Sequence, residues 1–255
     1  MTGNQPQPCG ALSRHLAFPD LLNARDLGGC ALRDGRQTRW RSLLRSDDLS
    51  RLSPAGLEAL VGYGVRTVID LRWTDESDAR PSPFERSPDR VSYVRIPLLG
   101  ESLEAWRSRR PAVAWEMWNS IVLDHCQAEL LQVARTILAA PDGGVLFHCH
   151  SGKDRTGIIA ALLLALVDAE PEVIVHDYRL SSDNLRDAYI AAYPVEEREA
   201  ALLRVRCPPE QVHNMLAHLD ARYGGPAGYL GAIGLGVSEV NDLAERLRPA
   251  AEGRM

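Results

Sequence analysis

As far as about residue 170, apolar and polar positions alternate between two periods. VRTVIDLR is rich in β-branched residues and apolar at nearly every site from Val68 to Leu71. That pattern predicts a strand buried on both faces of a parallel sheet. VSYVRIP, Val91 to Pro97, predicts a second strand stopped by its proline. GVLFHC, Gly144 to Cys149, predicts a third, entered through the turn Pro141-Asp142-Gly143-Gly144. Between these runs the spacing is helical. Ser53-Pro54 supplies a hydroxyl cap and a first-turn proline to a helix expected to end near Gly62 and Gly64. Glu101 to Ala140 also predicts helix, carrying Arg107, Arg109, Arg110 and the tryptophans Trp106, Trp115 and Trp118. Their helical spacing assigns the tryptophans to core packing rather than to a substrate platform.

Beyond Gly157 the pattern is almost wholly helical. One helix runs through IIAALLLALV, another begins after Pro171, and others lie near Val195–Arg206, Pro209–Tyr223 and Ser238–Leu247. Pro208-Pro209 and Gly224-Gly225-Pro226 separate them. Strands alternating with helices imply an α/β fold of three layers, a central mostly parallel sheet with helices on both faces. The chain is expected to form a single domain. Its parts are a loose tail (1–15), an α/β core (16–170) and a helical C-terminal part (171–255) that covers the core or folds over the site. Ligands of such sheets bind at the carboxyl ends of strands, which draws attention to the end of GVLFHC.

The 255 residues are 45% hydrophobic and 25% charged, so the core needs no disulfide or metal staples. A net charge of −5 and a pI near 5.8 argue against a general nucleic-acid or membrane-surface binder. Cys9, Cys30, Cys126, Cys149 and Cys207 form no CxxC pair, which suits a reducing compartment. MTGNQPQPCGALSRH lacks a basic start followed by an apolar run, so no signal peptide is expected. The apolar run Ile158 to Val167 is about half the ~20 residues of a membrane span. A cytoplasmic setting, with neither a nucleic-acid partner nor stable membrane insertion, follows as the expectation.

Within this frame stands FHCHSGKDRTG, Phe147 to Gly157. A nucleotide-binding Walker loop needs Ser or Thr after Gly-Lys, but Asp154 follows Gly152-Lys153, and Gly143 and Gly144 stand too far upstream. His148, Cys149 and His150 alternate in direction at a strand end and do not converge on one metal ion. Cys149-x5-Arg155 fits a third chemistry. Seven residues curl so that the amides from His150 to Arg155 face a phosphate, and the following helix adds its positive end. Such surroundings favour a thiolate nucleophile. Arg155 offers a planar fork for two phosphate oxygens, which lysine does not. Gly152 permits a bend that a Cβ would obstruct, and Thr156 is placed to donate its hydroxyl to the cysteine sulfur. The expected phosphate-binding set is His150, Ser151, Gly152, Lys153, Asp154 and Arg155, with Cys149 attacking phosphorus and water hydrolysing the cysteinyl-phosphate. No metal or other cofactor is required.

HCHSGKDRTG resembles the H-C-x-x-G-K-D-R-T-G loop of bacterial tyrosine and dual-specificity phosphatases. NARDLGG (Asn23 to Gly29), RSDDLSRLS (Arg45 to Ser53) and VIDLR (Val68 to Arg72) resemble that family's N-terminal blocks. DYRLSSDNL and YGGPAGYL resemble its C-terminal ones. His150-Ser151 departs from the small or aromatic residues more usual there, which bears on the site's shape and substrate. The resemblance implies a cysteine-phosphatase-like fold and metal-independent hydrolysis of phosphotyrosine proteins, with dual specificity, a phosphoinositide or a small metabolite as the alternatives. A phosphate-binding module without catalysis would lack nucleophile, arginine or acid, and all are present. The leaving oxygen needs a proton, and the resemblance points to two aspartates for it: Asp154 in the loop and Asp70 at the end of VID. Asp154 has a second reading as the ion-pair partner of Arg72. Lys153 is expected to add charge beside the phosphate, His148 to organise the loop and His150 to wall the pocket. Arg25 and Asp26 are expected to brace the loop from behind, and the helices around residues 185–222 resemble a lid.

Overall fold

Five strands form one sheet in the order β1-β2-β5-β3-β4: β1 (Arg25–Asp26), β2 (Leu43–Ser46), β3 (Val65–Asp70), β4 (Ser92–Arg95) and β5 (Gly144–His148). They are seen in a computed structural model that describes residues 13–86, 89–100 and 115–249. β1 pairs antiparallel with β2, and every other pairing is parallel. Ser46 of β2 and Asp70 of β3 both stand opposite His148 of β5. Three strands therefore end level, and the residues that follow them, Asp47, Leu71 and Cys149, emerge at one edge.

Side-chain alternation divides the core between the two faces of the sheet. Leu43, Ile69, Val145 and Phe147 join the larger cluster, while Leu44, Val68 and Leu146 join the smaller one. The smaller cluster lies under α1 (Pro54–Tyr63), which begins as its sequence predicts. Ser53 Oγ accepts from the Gly56 amide at 3.2 Å, Pro54 opens the first turn, and Gly64 ends the helix at φ 114°. The larger cluster gathers α3 (Trp118–His125), α4 (Gln127–Ala139), α5 (Asp154–Leu166) and α6 (Pro171–Ala192). It is completed by α8 (Pro209–Tyr223), α9 (Pro226–Ala232) and α10 (Val237–Glu245). The short helices α2 (Thr74–Ala79) and α7 (Arg198–Val205) flank the strand ends. None of the helices among the described residues is long and apolar enough to cross a membrane.

The three strands read from the sequence are present, and β1, β2, α2 and α9 are additions to that reading. α2, TDESDA, has no apolar face to announce it, and α9 lies where only a break was expected. Trp118 packs half-buried against the core as expected, whereas Trp115 stacks on it with ring centres 5.5 Å apart but is 46% exposed, outside the core place expected for it. Trp106, Arg107, Arg109 and Arg110 lie outside the described residues, as does Cys9.

Candidate active site

α5 has Lys153 as its N-cap and no side-chain cap of its own. The loop from Cys149 to Lys153 that feeds it is instead fastened from outside. Its carbonyls are held in turn: His150 O by the Asp48 amide at 3.0 Å, Ser151 O by Asn23 Nδ2 at 2.9 Å, and Gly152 O by Arg45 Nη2 at 2.6 Å. Lys153 O accepts from the Gly157 amide at 2.8 Å. In a trans peptide the N–H points opposite to the C=O. The amides of Ser151, Gly152, Lys153 and Asp154 are thus turned away from these donors, toward the concave side of the loop, a nest suited to an anion.

Gly152 makes this curl possible. Its φ is +64°, and a Cβ there would lie 2.3 Å from Ser46 O. Gly152→Ala is expected to destabilise the fold by about 1–3 kcal/mol through backbone strain and to lower turnover with it. Urea unfolding and steady-state kinetics check this; an alanine variant with unchanged midpoint and rate would contradict the assigned geometry.

Arg45 is itself held by a buried ion cluster. Arg25 and Arg45 face each other across the β1–β2 pair, and Asp177 of α6 bridges them. Arg25 Nε donates to Asp177 Oδ1 at 3.0 Å, Arg45 Nη1 to Oδ2 at 2.6 Å, and Arg14 Nη2 to Oδ1 at 2.5 Å. Burial would raise the Asp177 carboxyl, but the three arginines outweigh it and hold the group well below the usual carboxylate range. Burial and the nearby Arg45 lower Arg25 to about 10. Arg25 braces the loop as expected, through Asn23 and Asp177. Asp26 does not: its carboxylate accepts from the amides of Gly28 and Arg41 and from the Tyr63 hydroxyl, all at 2.7–2.8 Å, so it shapes the β1–β2 connection.

Arg155 stands one residue into α5 and aims its fork at Glu76 of α2, with Nη1 at 2.5 Å and Nη2 at 3.0 Å from the carboxylate. Its guanidinium lies 5.2 Å from the ring centre of Trp73. Desolvation works against the charge of Arg155, yet Cys149 and Glu76 more than compensate and raise its pKa. Cys149 is buried at the strand end. Thr156 is fully buried and its hydroxyl makes no hydrogen bond to protein, so the expected bond to the cysteine sulfur is not formed here.

The two aspartates differ sharply. Asp70 is fully buried and accepts from Arg72 Nη2 at 2.6 Å, from Tyr93 Oη at 2.5 Å and from the Arg72 amide at 2.9 Å. His148 Nε2 lies 3.7 Å away. Burial alone would raise the Asp70 carboxyl; His148, Arg72 and Tyr93 outweigh it and hold the group well below its ordinary value. With its oxygens engaged by Arg72 and Tyr93, this carboxylate anchors the Arg72 guanidinium. Arg72 in turn donates to Asp48 Oδ1 at 2.8 Å and to the Arg80 carbonyl at 2.9 Å. Asp154 has no bond to Arg72. Burial pushes its carboxyl above the ordinary value against the opposing charge of Lys153, and Oδ1 lies 3.5 Å from Lys153 Nζ.

Lys153 differs from its expected place beside the phosphate. Its ammonium donates to the carbonyls of Arg204 at 2.6 Å and Arg206 at 3.2 Å, at the C-terminal end of α7. A cation there satisfies carbonyls that the helix leaves open. His148 is fully buried with Nδ1 3.2 Å from Cys149 O, and burial lowers its pKa. His150 lies at the surface of the loop, its Nδ1 2.9 Å from Arg80 Nη2. Desolvation, then the charge of Arg80, lowers its pKa too.

Such a cysteine–arginine loop at the end of a central strand invites comparison with known phosphatases. A family model described as the tyrosine phosphatase family matches residues 16–249. The chain belongs to that family. A tyrosine-protein phosphatase of Nostoc commune is 37% identical over 82% of this chain and 75% of its own. The triple specificity protein phosphatase PtpB of Mycobacterium tuberculosis is 30% identical over 89% of this chain and 96% of its own. The crystal structure of Pseudomonas aeruginosa TpbA aligns at a TM-score of 0.34 and 21% identity, over 64% of this chain and 87% of that one. As a member of the family this phosphatase is an enzyme that hydrolyses phosphate monoesters. The supports Asn23, Arg45 and Asp177 were not read from the sequence, although they sit inside the blocks NARD, RSDD and DYRL, whose resemblance could have pointed to them. Glu76, Trp73 and Arg80 carried no comparable signal.

Proposed function

We propose that this phosphatase removes phosphate from phosphotyrosine in proteins through a cysteinyl-phosphate formed at Cys149. One observation carries the reading: the carbonyls of His150, Ser151 and Gly152 are held from outside the loop and that of Lys153 by the Gly157 amide of α5, an arrangement that leaves four amides for the concave side beside the cysteine and arginine. The Cys149 thiolate attacks phosphorus; the S–P bond forms as the ester P–O bond breaks. Amides of the loop and the Arg155 N–H groups not engaged by Glu76 take the charge on the phosphoryl oxygens, electrostatic help that is in place before reaction. Glu76 and Trp73 hold the guanidinium plane. Water then attacks phosphorus, the S–P bond breaks, and inorganic phosphate leaves with the thiolate restored.

Asp154 gives its proton to the leaving oxygen and takes one from water in the second step. Its raised pKa supports this, because the donor has to carry a proton. The sign follows directly: protonated donor is lost as pH rises through its pKa, so the alkaline fall in kcat/KM comes at higher pH than for an ordinary aspartate near 3.9. Asp154→Asn is expected to erase that limb and to cost about 10²–10⁴-fold with alkyl or phenyl leaving groups. Good leaving groups such as p-nitrophenol should suffer much less. Equal losses on both classes would remove Asp154 from the role.

Lys153 is bonded to α7 carbonyls, so the charge expected beside the phosphate is engaged elsewhere. Matched peptides carrying phosphotyrosine or phosphoserine, assayed in chelator, test the substrate class. The phosphotyrosine form should be hydrolysed faster; equal or reversed kcat/KM would contradict the proposal.

A further inference from the structure

Beside the loop, a cavity of about 250 Å³ opens between His150-Ser151 and one face of α6. Leu185, Ala188, Tyr189 and Ala192, spaced so that they share one helical face, line it together with Tyr193, the C-cap of α6. Tyr189 and Tyr193 stack with ring centres 6.3 Å apart. This wall is aliphatic and aromatic and offers few partners to a polyhydroxylated ring. It suits the phenyl group and neighbouring side chains of a peptide.

The mouth of the cavity carries two acids and two arginines, Asp47, Asp48, Arg51 and Arg80, yet their charges are not equally available. The carboxylates of Asp47 and Asp48 are 2% exposed, whereas the side chains of Arg51 and Arg80 are 59% and 45% exposed. Asp47 already accepts from the amides of Leu22 and Asn23, and Asp48 from Arg72 and the Ser50 amide. Arg51 lies 3.9 Å from Asp47, and Arg80 3.5 Å from Asp48. The mouth therefore presents exposed cations over buried carboxylates: Asp47 and Asp48 Oδ1 are hydrogen-bonded from within, and Asp48 Oδ2, which makes no hydrogen bond, lies 3.5 Å from Arg80 Nη1.

Arg80 is also fixed in place. Arg72 holds its carbonyl at 2.9 Å, and its own Nη2 is 2.9 Å from His150, the residue after the nucleophile. A cation so close to the loop lies within reach of a residue neighbouring the phosphotyrosine, since successive Cα atoms are about 3.8 Å apart. Preorganisation of the guanidinium reduces the cost of using it.

We infer that Arg51 and Arg80 form a subsite for a carboxylate side chain flanking the phosphotyrosine, so that this phosphatase selects acidic phosphopeptides. The inference rests on the phosphotyrosine reading above and adds the sequence context of the substrate. Arg80 serves as the fixed member, beside the loop. Arg51, 59% exposed and 3.9 Å from Asp47, is the looser one.

Three phosphotyrosine peptides that differ only in flanking Glu, Ala or Lys provide the test, with p-nitrophenyl phosphate and a soluble inositol polyphosphate as further arms. For the native protein, kcat/KM should fall from the Glu to the Ala to the Lys peptide. The Glu-to-Ala ratio should be about tenfold, the scale of one charge-assisted hydrogen bond, and should shrink with added salt. Arg51→Glu and Arg80→Glu should each move the order toward the Lys peptide, and the double variant should invert it. A ratio between peptides is internal to each variant, so partial unfolding lowers all three alike and does not imitate inversion. Equal rates on the three peptides, or an order unchanged in the charge-reversed variants, would overturn the subsite while leaving the phosphotyrosine reading standing. Turnover of p-nitrophenyl phosphate without turnover of any peptide would remove both. An inositol polyphosphate used more efficiently than the Glu peptide would overturn the peptide assignment.

Discussion

Cys149→Ser is expected to lower kcat/KM on an aryl phosphate on the order of a thousand-fold or more, the scale on which loss of a covalent nucleophile is felt. A serine hydroxyl stays protonated at neutral pH and is a weak nucleophile without an adjacent base. The substitution is nearly isosteric at a buried position, and the amides of the loop, Arg155 and their scaffold are untouched. The loss should therefore appear in kcat, with substrate binding and thermal midpoint close to those of the native protein. Steady-state kinetics in chelator, beside a calorimetric scan, separate the two. Activity within tenfold of native in a folded serine variant would contradict the nucleophile.

Asp177→Ala is the second large effect, and here stability leads. Asp177 is a buried carboxylate shared by Arg14, Arg25 and Arg45, so its removal leaves buried cations without their counter-charge. Such a loss costs about 3–5 kcal/mol. It also frees Arg45, which holds Gly152 O, so turnover should fall further than unfolding alone explains. The pH dependence has a definite sign. A carboxyl held below its ordinary value when folded contributes stability above the unfolded value near 3.9 and loses it as pH falls toward the folded one. The gap between native protein and variant should be full at neutral pH and narrow progressively below about pH 4. Urea unfolding across that range checks both claims; equal midpoints at neutral pH would contradict the cluster.

Where a residue's role was set by near neighbours, the sequence was enough to read it. β5 shows as an apolar run as far as Phe147, and β3 as an apolar stretch at Val68-Ile69, because both faces of the sheet are covered there. Gly152 and Arg155 show through the spacing of a single loop. β2 did not, because its final positions are Arg45 and Ser46. Their burial depends on Asp177, which meets Arg45 from 132 residues away. α2 is polar throughout and takes its meaning from Arg155, 79 residues distant from Glu76. Lys153 illustrates the same limit from the other side. Its position in the loop suggests a phosphate contact, while the carbonyls that bind it belong to a helix end 51 and 53 residues later. Asp70 and Asp154 look alike as candidate acids on paper. Their environments separate them, one clamped by arginine and tyrosine, the other desolvated beside a lysine.

The central claim is a covalent phosphoryl group on Cys149. Its most direct test is rapid acid quench of the protein during turnover of an aryl phosphate, followed by mass spectrometry of the peptide that spans Phe147 to Gly157. Asp154→Asn is expected to prolong the intermediate, since it removes the base proposed for its hydrolysis. One phosphoryl group is expected on that peptide, carried by the Cys149 sulfur, appearing within the first turnover and absent from Cys149→Ser. Full turnover with phosphate on no residue of that peptide, or with phosphate retained in the serine variant at the native rate, would contradict it.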